Sequence, residues 1–268
     1  MIKRWLTYIG ALAIAVWILL PIAYTTLASF AEIRDYYARV IPRSYTLRYY
    51  EEYFRLGVLD ALVRSVQVGL ITVALSFIFG LPAGYAIGRW AFKGRDTLRM
   101  AVIFFRVFPV AVMAVPLAVT YISLGLYDTL LGIALAHTAI ALPFVILITS
   151  SIFISIPKDL EEAGHVFGMS GLHVFLRITL PLAAPGLAAA AMFTFLISWN
   201  EVVAATILSY VNRTLPAMVL SPYVIGTGGE LPDPYKFAAA TIMILPALLF
   251  MAYVRRYLIT MWGAAGVR

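Results

Sequence analysis

The chain of 268 residues is 63% hydrophobic and only 12% charged, with a mean hydropathy of +0.93, which excludes a soluble globular domain and leaves a helical protein that crosses a bilayer several times. It has no cysteine and three scattered histidines, which excludes a disulfide framework, a thiolate metal site and a histidine metal cluster. The net charge of +7 would suit nucleic acid in a soluble chain, but in a membrane protein basic residues set topology and meet anionic headgroups, so membrane lipid is the expected partner and nucleic acid is not.

In chain order, six spans are expected, over residues 5–30, 62–88, 98–123, 130–153, 180–210 and 237–261. The first is too long for the core of a cleaved signal peptide and reads as a retained helix. Lys3 and Arg4 before it, and Arg255, Arg256 and Arg268 after the last span, place both termini on the cytoplasmic side. Residues 31–60 form an external loop in which Tyr36, Tyr37, Tyr45, Tyr49 and Tyr50 read as an interfacial aromatic belt. Arg89, Lys93, Arg95 and Arg99 crowd the second-to-third connection, whereas Gly125 to Asp128 carries no base, so the former is cytoplasmic and the latter external.

Residues 156–181, IPKDLEEAGHVFGMSGLHVFLRITLP, are polar and glycine-punctuated between two long apolar runs. Pro157 suits a helix start, and Asp159, Glu161 and Glu162 put negative charge at the positive end of the helix dipole. Leu160, Ala163 and Phe167 give a short apolar stripe, Gly168 suits a left-handed terminating residue, and Ser170 can cap a second short helix carrying Leu172, Phe175 and Leu176. Two helices joined by a glycine turn are expected, as a docking loop.

The run Glu162-Ala163-Gly164, with Gly168 and then Ile178, Leu180 and Pro181 at fixed spacing, resembles the EAA loop of permease subunits in binding-protein-dependent ABC importers. Gly164 stands where that motif has a second alanine. Pro42 with Thr46 and Leu47, the stretch Phe92 to Arg95, Phe108-Pro109, residues 124–132 and the C-terminal residues 256–268 extend the resemblance over nearly the whole chain, toward the second permease of maltose-type carbohydrate systems. The resemblance implies an all-α membrane protein of six transmembrane helices in one permease domain, with a cytoplasmic coupling-helix loop at 156–181. In that loop Glu161, Glu162, Ala163, Gly164, Gly168, Ile178, Leu180 and Pro181 would couple to an ATPase.

Glu201, in Trp199-Asn200-Glu201, and Arg106 are the charges expected at hydrocarbon depth, where each is costly unless paired or facing water. With Trp199 and Asn200 they are candidate translocation-path residues, the alternative being an internal ion pair that only fixes helix packing. His137 reads as a packing group. The external loop at 211–236 has too many Pro and Gly residues for a continuous helix. In the family that loop touches the binding protein, and Gly226, Thr227, Gly228 and Gly229 would permit close approach. Asn212-Arg213-Thr214 is a glycosylation sequon near the membrane.

The chain contains no GxxxxGK[ST] phosphate loop, so it would bind no cofactor itself, with ATP and Mg held by partner subunits. The resemblance implies a second permease, two ATP-binding subunits, an extracytoplasmic sugar-binding protein and a sugar substrate. A non-sugar solute is the alternative. A secondary transporter would need ionisable relays and internal repeats, and an intramembrane hydrolase a Ser–His or paired-Asp arrangement; neither pattern is present.

Overall fold

The computed structural model describes residues 2–221 and 231–265. In chain order its helices are α1 (Ile2–Ala28), α2 (Ile33–Ala38), α3 (Arg48–Arg55), α4 (Val58–Arg89), α5 (Arg95–Phe105), α6 (Val110–Leu124), α7 (Leu130–Ser155), α8 (Lys158–Val166), α9 (Gly171–Val174), a π-helical turn (Phe175–Thr179), α10 (Leu180–Trp199), α11 (Val203–Leu208), α12 (Leu215–Val219) and α13 (Asp233–Ala265). Among the described residues no strand forms; an isolated bridge joins Ala31 to Tyr45. Four stretches, 5–28, 58–89, 130–155 and 171–199, are long and apolar enough to cross a membrane, and α5 with α6 makes a fifth if that bent pair is one span. The protein is a multi-pass helical membrane protein.

Two of the expected spans are broken. The run 98–123 is not one helix: α5 and α6 meet at 87°. The cause lies in the sequence, because Pro109 has no N–H to donate and disfavours helical backbone at Phe108. The run 180–210 likewise stops at Trp199 and restarts as α11.

The chain falls into two compact units, Met1–Asp60 with Met218–Leu249, and Ala61–Ala217 with Phe250–Arg268. In the first, the loop after α1 is cross-tied. Glu32 N–H donates to Ser44 C=O (3.1 Å) and Thr46 N–H to Phe30 C=O (2.6 Å), while the Asp35 carboxylate accepts the N–H groups of Arg43 and Ser44. Tyr49 is buried and donates to Ala31 C=O (2.8 Å). Tyr53, also buried, donates to the carbonyls of Val219 (3.0 Å) and Tyr235 (3.3 Å). Of the tyrosines expected in an aromatic belt, Tyr37 and Tyr45 are exposed, whereas Tyr49 belongs to the core.

The Ser44 and Arg43 backbone N–H groups hold the Asp35 carboxyl below the usual carboxylate range. A lowered folded value means that this loop contact is fully present above the unfolded carboxylate value and is lost as pH falls through the folded one. Asp35→Asn is therefore expected to speed hydrogen exchange at the Arg43 and Ser44 amides at neutral pH. Acidifying the wild type should lower the protection factors of the same amides, that is, exchange relative to the slower intrinsic rate in acid, and unchanged protection in both would contradict this reading.

The second unit packs through small residues, as membrane helices do where no hydrophobic gradient drives association. Gly84 of α4 lies against α7 so closely that a Cβ there would stand 1.9 Å from Thr149 Oγ1 and 3.0 Å from Ile146 O and Ser150 N. Val68, Ile133, Ala134, Ala205 and Ala217 form one buried cluster, and Phe153, Ile156, Ala183 and Leu187 another. Asp128 takes a positive φ of 57° and its Oδ1 accepts the N–H groups of Tyr210, Val211 and Asn212. The Asn212 side-chain amide donates to Asp128 C=O (2.8 Å). The nitrogen that glycosylation would modify is thus already committed to the fold.

Candidate coupling loop and intramembrane polar cluster

The loop at 156–181 forms the first short helix the sequence predicts, α8, but the second is not separate: α9 runs through the π-helical turn into α10, so 171–199 is one continuous helical stretch and the span expected from 180 begins at the glycine turn. Pro157 flanks α8, with Asp159 and Glu161 in its first turn. The chain then reverses at Gly168, whose φ of +80° is a region that residues with a Cβ rarely adopt. Ser170 flanks α9 but makes no cap bond to it; its Oγ instead pairs with His173 Nδ1 at 2.8 Å. Gly164 is a packing position. It is buried, and a Cβ there would stand 2.7 Å from Ile178 Cδ1 and 3.0 Å from Val174 Cγ2, so its lack of a side chain lets α8 lie close to the segment entering α10.

The apolar stripe divides in two. Val174 and Gly164 point inward, whereas Val166 and Phe167 are each 86% exposed and Leu172 is 67% exposed. Large apolar side chains so displayed on a polar loop are of the kind that a protein partner or a membrane surface covers. Glu162 and Ala163 are exposed beside them. Glu161 turns inward, where its Oε1 accepts from Thr179 Oγ1 (2.7 Å) and Arg89 Nε (3.0 Å). Arg89 and Thr179 were not legible as its partners in the sequence, because Arg89 reads there as one of several topology-setting bases.

The second group lies at the α10–α11 break. Glu201 collects the first N–H groups of α11: Oε1 accepts from Val203 (3.0 Å) and Ala204 (3.1 Å), and Oε2 from Ala205 (3.1 Å). These donors have no partner within the helix and carry its positive end. His137 of α7 is fully buried; its Nε2 lies 3.2 Å from Glu201 Oε2 and its Nδ1 2.8 Å from Ser198 Oγ. Ser198 Oγ in turn lies 3.4 Å from Thr72 Oγ1. Of the two readings of Glu201, these contacts match the internal pair, with His137 as partner rather than Arg106.

Arg106 sits at the α5–α6 elbow, with its guanidinium 5.9 Å from the centroid of the Phe144 ring. Trp199 is only 3% exposed and stacks on Phe195 at 5.8 Å, so it contributes packing rather than an open stacking face. Asn200 is exposed, its amide donating to Leu196 C=O. Gly226, Thr227, Gly228 and Gly229 lie outside the described residues. Among the described residues no three His, Asp or Glu side chains converge as a metal site.

Residues 80–260 match the family described as binding-protein-dependent transport system inner membrane component. The chain is 30% identical over 246 residues to the trehalose transport system permease protein SugB of Mycobacterium tuberculosis, covering 90% of this chain and 89% of that one. It is 29% identical to the trehalose/maltose permease MalG of Thermococcus litoralis, covering 94% of each. In fold it is similar to a chain of a bacterial ABC transporter involved in import of the acidic polysaccharide alginate, with a TM-score of 0.68, 21% identity and coverage of 95% and 97%. A MetNI methionine ABC transporter chain follows with a TM-score of 0.58, 23% identity and coverage of 75% and 93%. The chain belongs to the binding-protein-dependent transport system inner membrane component family, the permeases of ABC importers.

Proposed function

We propose that this chain is one half of the transmembrane pathway of an ATP-driven importer for a sugar or small oligosaccharide. Six spans in a single permease domain, with both termini cytoplasmic, would pair with a second permease. Two ATP-binding subunits holding ATP and Mg would dock at the loop 156–181, and an extracytoplasmic sugar-binding protein would deliver the substrate to a surface that includes Gly226 to Gly229. The observation that carries this reading is the display of Val166, Phe167 and Leu172 on a paired-helix loop whose other face is fixed to the spans. The sugar class is supported by the relatives, whose names specify trehalose and maltose transport. Of the candidate path residues, Asn200 and Arg106 are exposed and would face the substrate, whereas Glu201 binds the first amides of α11 and Trp199 packs on Phe195.

Glu162→Ala and Gly168→Val test the loop. Losing an exposed charge-assisted bond to the ATPase would cost about 1.5–3 kcal/mol of docking. Forcing a β-branched residue into the left-handed backbone at Gly168 would cost roughly 1–2 kcal/mol or more and misdirect α9. Glu162→Ala is expected to keep wild-type thermal stability in detergent and Gly168→Val to melt somewhat lower, while sugar uptake per ATP hydrolysed falls for both in the reconstituted complex. Wild-type coupling in both, at matched expression, would remove the docking role.

A further inference from the structure

Of the carboxylates on α8, Asp159 and Glu162 are exposed, whereas the Glu161 side chain is only 14% exposed and faces the protein. Three chain segments are tied together around it. Arg89, the last residue of α4, has a side chain just 3% exposed; its Nη2 lies 2.9 Å from Glu161 Oε1, its Nε donates to the same oxygen (3.0 Å), and its Nη1 donates to Ile156 C=O after α7 (2.8 Å). Thr179, closing the π turn that enters α10, donates to Oε1 as well (2.7 Å). Tyr85, one turn before Arg89, brings its hydroxyl to 3.5 Å from Oε2, and its ring stands edge-on to Phe153 (5.2 Å) and Phe175 (4.8 Å).

A carboxylate so surrounded has little capacity left for a second protein, while a guanidinium in low-dielectric surroundings gripping both a carboxylate and a backbone carbonyl resists displacement. We propose that Arg89 and Glu161 are positioning residues of ATP coupling: together they form a strut that fixes the loop to the ends of α4, α7 and α10, so that force on the exposed Val166, Phe167 and Leu172 moves the spans instead of bending the loop. This rests on the importer reading. Glu161 then acts through the protein interior and Glu162 at the docking surface, although the two are neighbours in one motif.

The test uses the full complex with Glu161→Gln, Glu161→Asp and Arg89→Lys. Lysine keeps the charge but cannot reach the carboxylate and the Ile156 carbonyl together. Glu161→Gln and Arg89→Lys are expected to retain the ATPase subunits on purification while sugar uptake per ATP hydrolysed falls about tenfold, the factor that corresponds to ~1.4 kcal/mol, with Glu161→Asp recovering part of the loss. A readout independent of transport uses the absence of native cysteine: a spin label on Phe167→Cys in the full chain should gain mobility when Glu161→Gln is added. Loss of ATPase retention with normal coupling in the complexes that do assemble, or an unchanged label, would overturn the strut. If the wild-type complex shows no ATP-driven uptake, the importer reading fails by itself, and the label still decides whether the strut exists.

Discussion

Gly84→Leu is expected to yield no monodisperse protein after detergent extraction, and Gly84→Ala to yield protein with a clearly lowered thermal midpoint. The site has no slack, since even a methyl carbon would stand 1.9 Å from Thr149 Oγ1 and 3.0 Å from the backbone of Ile146 and Ser150. A side-chain atom can turn away, but the α7 backbone cannot without parting the two helices. Overpacking a close-packed interior costs about 1–3 kcal/mol, and more where backbone must move. Thr149 also holds its own helix, donating to Val145 C=O at 2.7 Å, so its rotation forfeits a buried bond. Thr149→Ala should therefore return part of the loss in Gly84→Ala and none of that in Gly84→Leu. Wild-type elution and melting of Gly84→Leu would contradict the packing described.

Glu201→Ala is expected to have the second-largest effect, because buried polar groups left without a hydrogen-bond partner cost about 1–3 kcal/mol each. The deletion would leave His137 Nε2 without its neighbour and three backbone N–H groups of α11 without acceptors. Glu201→Gln keeps one carbonyl oxygen and should fall between wild type and alanine. His137→Ala should be milder than Glu201→Ala, because the carboxylate retains its three backbone donors. Thermal unfolding of the purified variants gives the order. A Glu201→Ala variant with wild-type stability and lowered uptake would show instead that Glu201 acts on substrate.

These two sites also show where the sequence was readable. The loop at 156–181 was legible because short-range rules govern it: a helix start at Pro157, acids in the first turn and a left-handed residue at Gly168 all follow from local backbone chemistry. The broken spans were not legible from hydropathy, which measures apolar content and is blind to direction. The local signal for one of them is the Phe108-Pro109 step, whose geometric consequence is a bend and not a change in hydropathy. At the other break no proline marks the place; Glu201 ends the run by capping a new helix, a role apparent only when the α11 amides are seen around it. The pairings of Glu201 with His137 and of Glu161 with Arg89 bridge 64 and 72 positions of chain, and no periodicity in one sequence carries that information. Arg106 and Glu201, alike on the page as buried charges, have different fates: one lies over Phe144 at an elbow and the other inside a hydrogen-bonded cap.

The most direct test of the central proposal is sugar uptake into liposomes that carry this permease with its second permease and ATP-binding subunits, with binding protein outside. Vesicles loaded with ATP and Mg should accumulate the sugar that the binding protein retains, whereas vesicles given only a proton or sodium gradient should not. Accumulation driven by an ion gradient without ATP, or by the permease chains without the ATP-binding subunits, would contradict the account.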